Sequence, residues 1–426
     1  MLNWYARMQA PALVAGLSVW LAAAGALGGA TASAAETKKP PQLSEEIIKK
    51  LKPAQDACQK NDYDTCISLA REAVAMAQKP WDKDQSLRIL MWGLGKKGDF
   101  PAYADTVEQL YALDTVQDDE KRKTYPNLAK IYYQQKNFEK AEKYGKLWAQ
   151  LDPSPEAYSI LVAIYYTQQN CPEALAAAEK GVELDKAAGR EASEQTLRIQ
   201  NSCYYKTGNK ERRTDVMEEL VRRFPKADYF TDLLHLYQEQ NLDKRAQLNL
   251  YRYGFDKDWI SRESEFVEYA DQALDAGAPA EALKVIETAI GKGAFKIVAE
   301  TDRNGRLRTN AKQQTAEDRK QIAALDKEAR AGKNGEADVK VGMAYLGFAN
   351  YEPDKATEDY TKAAEAIERG LSPDRVGKVK RVDDAQMMLG IAYKKLGKTD
   401  EAKKAFTAAA GDPRMKKAAA IWLQTL

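Results

Sequence analysis

The 426 residues carry 65 Lys and Arg against 63 Asp and Glu, so no charge asymmetry exists to attract a nucleic-acid backbone or an anionic membrane surface. One histidine and four cysteines, with no C-x-x-C, argue against a zinc site, which needs clustered ligands. The length suits two or three globular cores or one long repeat array.

Residues 1–34 form a class of their own. Arg7 is their only charge, an apolar run extends from Pro11 to Ala30, and Ala32-Ser33-Ala34 supplies small residues for cleavage. That is the pattern of a secretory signal peptide, which would place the mature chain in a bacterial periplasm. The run is long, so an uncleaved inner-membrane anchor facing the periplasm is the alternative. Residues 35–43 carry charge and two prolines without an apolar face and read as a disordered tether. Beyond Glu36 no apolar segment approaches the roughly 20 residues that span a bilayer.

Ser44 is expected to cap a first helix, with Glu45 and Glu46 favoured by its dipole. The first helical pair runs over 44–78 and turns at Asn61 to Asp64; the second runs over 82–113 and turns at Lys97-Gly98-Asp99-Phe100. The third, 123–155, has the clearest periodicity. Tyr125, Leu128, Ala129 and Tyr132 are followed by Ala141, Gly145 and Trp148, with Pro153 closing the unit, so two amphipathic helices cross at small residues. The fourth repeats this after 33 residues with Tyr158, Leu161, Tyr165, Ala174 and Ala178. This pattern resembles the tetratricopeptide repeat.

The resemblance implies an all-α, right-handed solenoid of helix pairs. By its pattern Cys66 takes a place usually held by alanine, and Tyr103 breaks the second pair. The fifth pair (Leu197, Tyr204, Gly208, Met217, Leu220) has Asn201 and Arg213 at its crossing. The sixth (Leu233, Tyr237, Ala246, Leu250) and seventh (Phe266, Ala270, Gly277, Ala282, Ile286, Ala289) restore the small residues. Residues 44–290 thus form a solenoid of about seven pairs. Residues 291–335 lose the landmarks and read as an irregular insertion with a charged helix. Residues 336–426 resume with an eighth pair crossing at Ala344 and Ala356, a ninth carrying Leu389, Gly390, Tyr393, Ala402, Phe406 and Ala409, and a helix from Met415 to Leu426 covering the open end.

Cys58 and Cys66 face each other across the first hairpin; Cys171 stands at the turn of the fourth pair and Cys203 on the next helix. Export would oxidise them as Cys58–Cys66 and Cys171–Cys203, with buried reduced thiols as the alternative. In a solenoid of this kind the first helices line a concave surface. The positions that packing leaves over there include Asn127, Lys130, Tyr133, Tyr166, Arg198, Tyr205 and His235. A tyrosine row interleaved with cations suits an extended peptide or a helix; alternatively each second ring of the Tyr-Tyr pairs is half covered by the next repeat.

Catalysis finds little footing. His235 is the sole imidazole and no motif marks a nucleophile beside it. Gly93-Leu94-Gly95 lies inside a helical pattern without the strand a phosphate loop needs, and the helical acids read as solvated faces. The expectation is a non-enzymatic periplasmic scaffold without cofactor or metal, binding envelope proteins. Its layout, including LVRRFPKADYFTDLL (220–234) and AGAPAEALKVIE (276–287), resembles exported repeat proteins associated with TonB-type energy transduction. A scaffold for cell-wall or outer-membrane assembly, or a carboxylate-dependent envelope hydrolase, are the alternatives.

Overall fold

The computed structural model describes residues 41–113, 115–295, 299–375 and 378–426. The expected leader, 1–34, and residues 35–40 of the expected tether lie outside them. Twenty α-helices and no strands are found among the described residues. In chain order they are α1 (Glu45–Gln59), α2 (Tyr63–Met76), α3 (Pro80–Lys97), α4 (Phe100–Tyr111), α5 (Asp118–Gln134), α6 (Phe138–Leu151), α7 (Pro155–Thr167), α8 (Cys171–Ala187), α9 (Glu194–Lys206) and α10 (Lys210–Arg223). They continue as α11 (Ala227–Glu239), α12 (Lys244–Asp256), α13 (Glu263–Asp275), α14 (Pro279–Gly291), α15 (Arg303–Gly332), α16 (Gly335–Tyr351), α17 (Ala356–Leu371), α18 (Val382–Lys395), α19 (Thr399–Ala410) and α20 (Lys416–Leu423). Two compact units divide between Cys203 and Tyr204, inside α9.

One turn recurs between the helices of a pair. A single residue takes the left-handed conformation: Asn61, Gly98, Lys136, Gln169, Gly208, Asn241 and Gly277 in the pairs from α1–α2 to α13–α14, and Gly397 between α18 and α19. The Asp or Asn after it caps the second helix in five of them, accepting from the backbone N–H three residues on: Asp62, Asp99, Asn137, Asn170 and Asn209. The turn reverses the chain and satisfies a helix N-terminus at once.

In the first unit the crossings lie where the periodicity puts them, with Ala129, Ala141 and Ala174 fully buried. Tyr103 is accommodated at its crossing because Gly95 lies against its ring. Its partner in the pattern, Gly93, lies where a Cβ would meet Ile67 at 2.9 Å and both sulfurs of the Cys58–Cys66 pair at 3.5 and 3.1 Å. These two glycines serve helix packing. Ser44 departs from expectation: its side chain makes no cap, and both its N–H and its hydroxyl donate to the buried Asp82 carboxylate, at 3.0 and 2.7 Å.

The second unit differs from expectation in three places. The polar stretch after Asp302 is helical: α15 runs for 30 residues, Asp302 caps it, and a narrow stripe of Ala311, Thr315, Ile322 and Ala329 is buried. Arg308 pairs with Glu287 of α14, and Arg319 with Glu352 after α16 and the buried Asp359 of α17, which tie the helix to its neighbours. The eighth pair crosses at Gly342, where a Cβ would meet Ile367 at 2.5 Å, while Ala344 and Ala356 are only half-buried. Last, α20 does more than cover an end. Trp422 stacks on Phe406 and meets Tyr253 of α12 edge-on, and its indole N–H donates to the Asn249 carbonyl at 2.7 Å. Asn249 also donates to Asp384 (2.9 Å), Arg381 to Asp243 (2.9 Å) and Lys394 to Asp256 (2.8 Å), so helices more than 130 residues apart in sequence close on one another.

Candidate functional site

The residues singled out for partner binding fall in both units. In the first, α5 carries Asn127, Lys130 and Tyr133, all half-buried, α7 carries Tyr166, and α9 carries Arg198, which is exposed. Tyr132 and Tyr165, the first rings of the two Tyr-Tyr pairs, are buried. The second rings are half-buried and reach forward. The Tyr133 hydroxyl is 3.1 Å from that of Thr167, and Tyr166 is 3.0 Å from Ser202. Because Thr167 donates its own proton to the Ala163 carbonyl, Tyr133 is the donor of its pair. A ladder of hydroxyls therefore ties the first helix of one pair to that of the next.

The Lys130 ammonium sits 5.4 Å from the centroid of the Trp148 ring. Burial pushes its pKa down, against the pull of Glu156. A partly desolvated cation over an indole is a stiff, preorganised feature.

In the second unit Tyr205 is 69% exposed, unusual for so large a ring, and the Arg213 guanidinium lies 4.9 Å from its centroid. His235 is exposed on α11, one turn before Glu239. The Glu239 carboxyl is held below its usual range by a hydrogen bond from Lys210, with His235 adding to the pull.

Both cysteine pairs are at bonding distance in the pairing that the sequence suggests, with Cα atoms 5.2 Å apart for Cys58–Cys66 and 5.1 Å for Cys171–Cys203. Among the described residues no group of three His, Cys, Asp or Glu stands close enough to hold a metal ion. No helix among them is long and apolar enough to cross a membrane.

Sequence reasoning took the helical acids for solvated faces, and several are not. Asp82, Asp84, Glu281, Asp338, Asp359, Asp383 and Asp384 are buried, and Arg88, Arg252, Arg319, Arg369 and Arg381 neutralise five of them. Asp84–Arg88 and Arg381–Asp383 are local, but the partners of Glu281, Asp338 and Asp359 stand 29 to 40 residues away, where no local spacing announces them.

With this geometry in place, comparison with known proteins adds one local match. Residues 383–411, α18 and α19, match the family model described as tetratricopeptide repeat. These are the helices that cross at Gly390, and buried small residues recur in the third, fourth, sixth and seventh pairs. The described residues are all-α, and each unit is a solenoid of tetratricopeptide-like helix pairs. No curated protein matches it. Among solved structures, Naa15/Naa10 bound to HypK-THB is similar over 88% of this chain and 66% of that chain, at 12% identity and a TM-score of 0.37; this chain thus spans about two thirds of that chain's length. A tetratricopeptide repeat protein from Parabacteroides merdae is similar at 15% identity over 63% of this chain and 98% of that one, TM-score 0.31. The TPR domain of P58(IPK) is similar at 13% identity over 89% and 99%, TM-score 0.22.

Proposed function

We propose that the protein is a non-enzymatic scaffold of the bacterial periplasm that binds envelope proteins, as an accessory of a TonB-type energy transduction system. The observation that carries the binding reading is the face of α5, α7 and α9. Half-open tyrosine rings held by hydroxyl bonds from one pair to the next stand on the same helices as Lys130 and the exposed Arg198. Half-buried rings already held in place offer contact area at little entropic cost, and cations on the same helices set register. The leader pattern of residues 1–34 and the two cysteine pairs support an oxidising compartment.

Crosslinking in intact cells, followed by purification of the tagged full chain from the periplasm, tests this. The expected catch is a component of the energy-transducing membrane complex, reduced by Arg198→Glu with no change in melting temperature. Recovery of cell-wall synthesis proteins instead would favour the assembly role, and recovery of the chain from the cytoplasm alone would overturn the location.

A further inference from the structure

Where the second unit closes, α12, α13 and α14 face α16, α17, α18 and α20 across a cavity of about 320 Å³, a size at the lower end of small-molecule sites. One part of its buried lining is apolar: Val285, Leu346 and Trp422 are each at most 2% exposed. Its rim is wet, with Pro353 and Lys395 both exposed.

Most charges along its wall are already neutralised. Arg252 donates twice to Glu281, at 2.8 Å each, and the Tyr269 hydroxyl gives Glu281 a third bond at 2.8 Å. Asp256 accepts from Lys394 and Lys395. Lys284 is different. It lines the cavity from α14, half-buried, and makes no ion pair or hydrogen bond among the described residues. Asn350, half-buried, adds a second polar group to the lining. Its side-chain oxygen accepts from Tyr360 at 2.6 Å, and its NH₂ has no acceptor among the described residues.

We propose that this cavity binds a small carboxylic acid with an apolar body. The carboxylate meets the Lys284 ammonium and the Asn350 amide, and the hydrocarbon or aryl body lies on Val285, Leu346 and Trp422. The charge balance selects this class. Arg252, Lys284 and Lys395 against Asp256 and Glu281 leave the lining net positive, and Lys394 on Asp256 adds to it, so the site favours an anion. A phosphate dianion would bring a second negative charge near the buried Glu281 and half-buried Asp256 carboxylates, and a neutral ligand would leave Lys284 without a counter-charge. The site is separate from the protein-binding face and does not depend on that reading.

Calorimetric titration of the full mature chain tests it with 3-phenylpropionate and octanoate, each beside its alcohol, 3-phenylpropanol and octanol. Saturable one-to-one binding of at least one acid is expected, with its alcohol weaker. Lys284→Gln, a change at a half-buried position that leaves the core intact, should weaken the acid by roughly tenfold, on the scale of one charge-assisted hydrogen bond, and leave the alcohol unchanged. Far-UV circular dichroism and a melting curve establish that the variant is folded. The proposal is overturned if neither acid saturates, if acid and alcohol bind equally, or if folded Lys284→Gln binds the acid as the wild type does. Tighter binding of inorganic phosphate than of either acid would also overturn it.

Discussion

Lys136 and Gln169 hold the left-handed turn conformation at φ of 59° and 60°, where glycine does the same work in Gly98, Gly208 and Gly397. A Cβ in that region is strained by about 1 kcal/mol, so Lys136→Gly and Gln169→Gly should each raise stability by up to about that amount, less the extra freedom of the unfolded chain. Urea midpoints measure it, and a drop in both would mean that these side chains do something the turn does not require. The following cap acts in the opposite sense: Asn137 accepts from the Lys140 N–H, and Asn137→Ala should cost about 1 kcal/mol. Gly390 is a different kind of glycine. It lies inside α18, where a Cβ would come within 2.5 Å of the Phe406 ring, so Gly390→Leu should destabilise by about 1–3 kcal/mol or more, against little change for Lys404→Leu on the exposed face of α19. Equal melting temperatures for these two variants would show that the ring yields and the crossing is loose.

Between helices, the first unit has one bond inside a pair and one between pairs. Cys58–Cys66 closes α1 on α2, and Cys171–Cys203 ties the start of α8 to α9. The loop-closure entropy removed from the unfolded chain corresponds to about 2.5 and 3.7 kcal/mol. Non-reducing peptide mapping should show these two linked pairs, and reductant should lower the unfolding midpoint of the first unit by a matching amount. Four free thiols in material taken from the periplasm would refute both. Elements of this kind were legible in the sequence because each pair carries its own signal: the apolar stripes of α5 to α8 and the small residues at Ala129, Ala141 and Ala174 need only local spacing. What escaped depends on distant partners. Ser44 looked like a cap because its hydroxyl precedes two glutamates, yet Asp82 takes both of its protons. The start of α15 looked irregular because its stripe is one residue wide in each turn or two, and the ion pairs that hold it, such as Arg308–Glu287, lie 21 or more residues away. The cavity was invisible for the same reason: its lining comes from seven helices, and Lys284 differs from other lysines without an ion pair only in lining it.

At the scale of a whole unit, the second half of the chain is held by contacts that ordinary stacking of neighbouring pairs would not make. Trp422 is 1% exposed between Tyr253 and Phe406, and Trp422→Ala should cost about 3–5 kcal/mol. Around it Asp243 meets Arg381, and Asp256 meets Lys394 and Lys395. Burial alone would raise both carboxyls, but these cations outweigh it and hold them below the unfolded value of 3.8. The sign follows directly. A carboxyl with a depressed folded value binds its proton more readily in the unfolded chain, so its contribution is fully present above pH 3.8 and is lost as the pH falls through the folded value. Arg381, Lys394 and Lys395 remain charged throughout, so acid removes one side of each pair and leaves cations facing neutral groups. Hydrogen exchange on α12, α18 and α20 should therefore show protection that is level down to that pH and then falls in all three helices together. Arg381→Met, which removes one pair outright, should lower the plateau at neutral pH and flatten the acid step. If α20 exchanges freely at neutral pH in the wild type, the closure does not persist in solution, and the cavity it encloses has no floor.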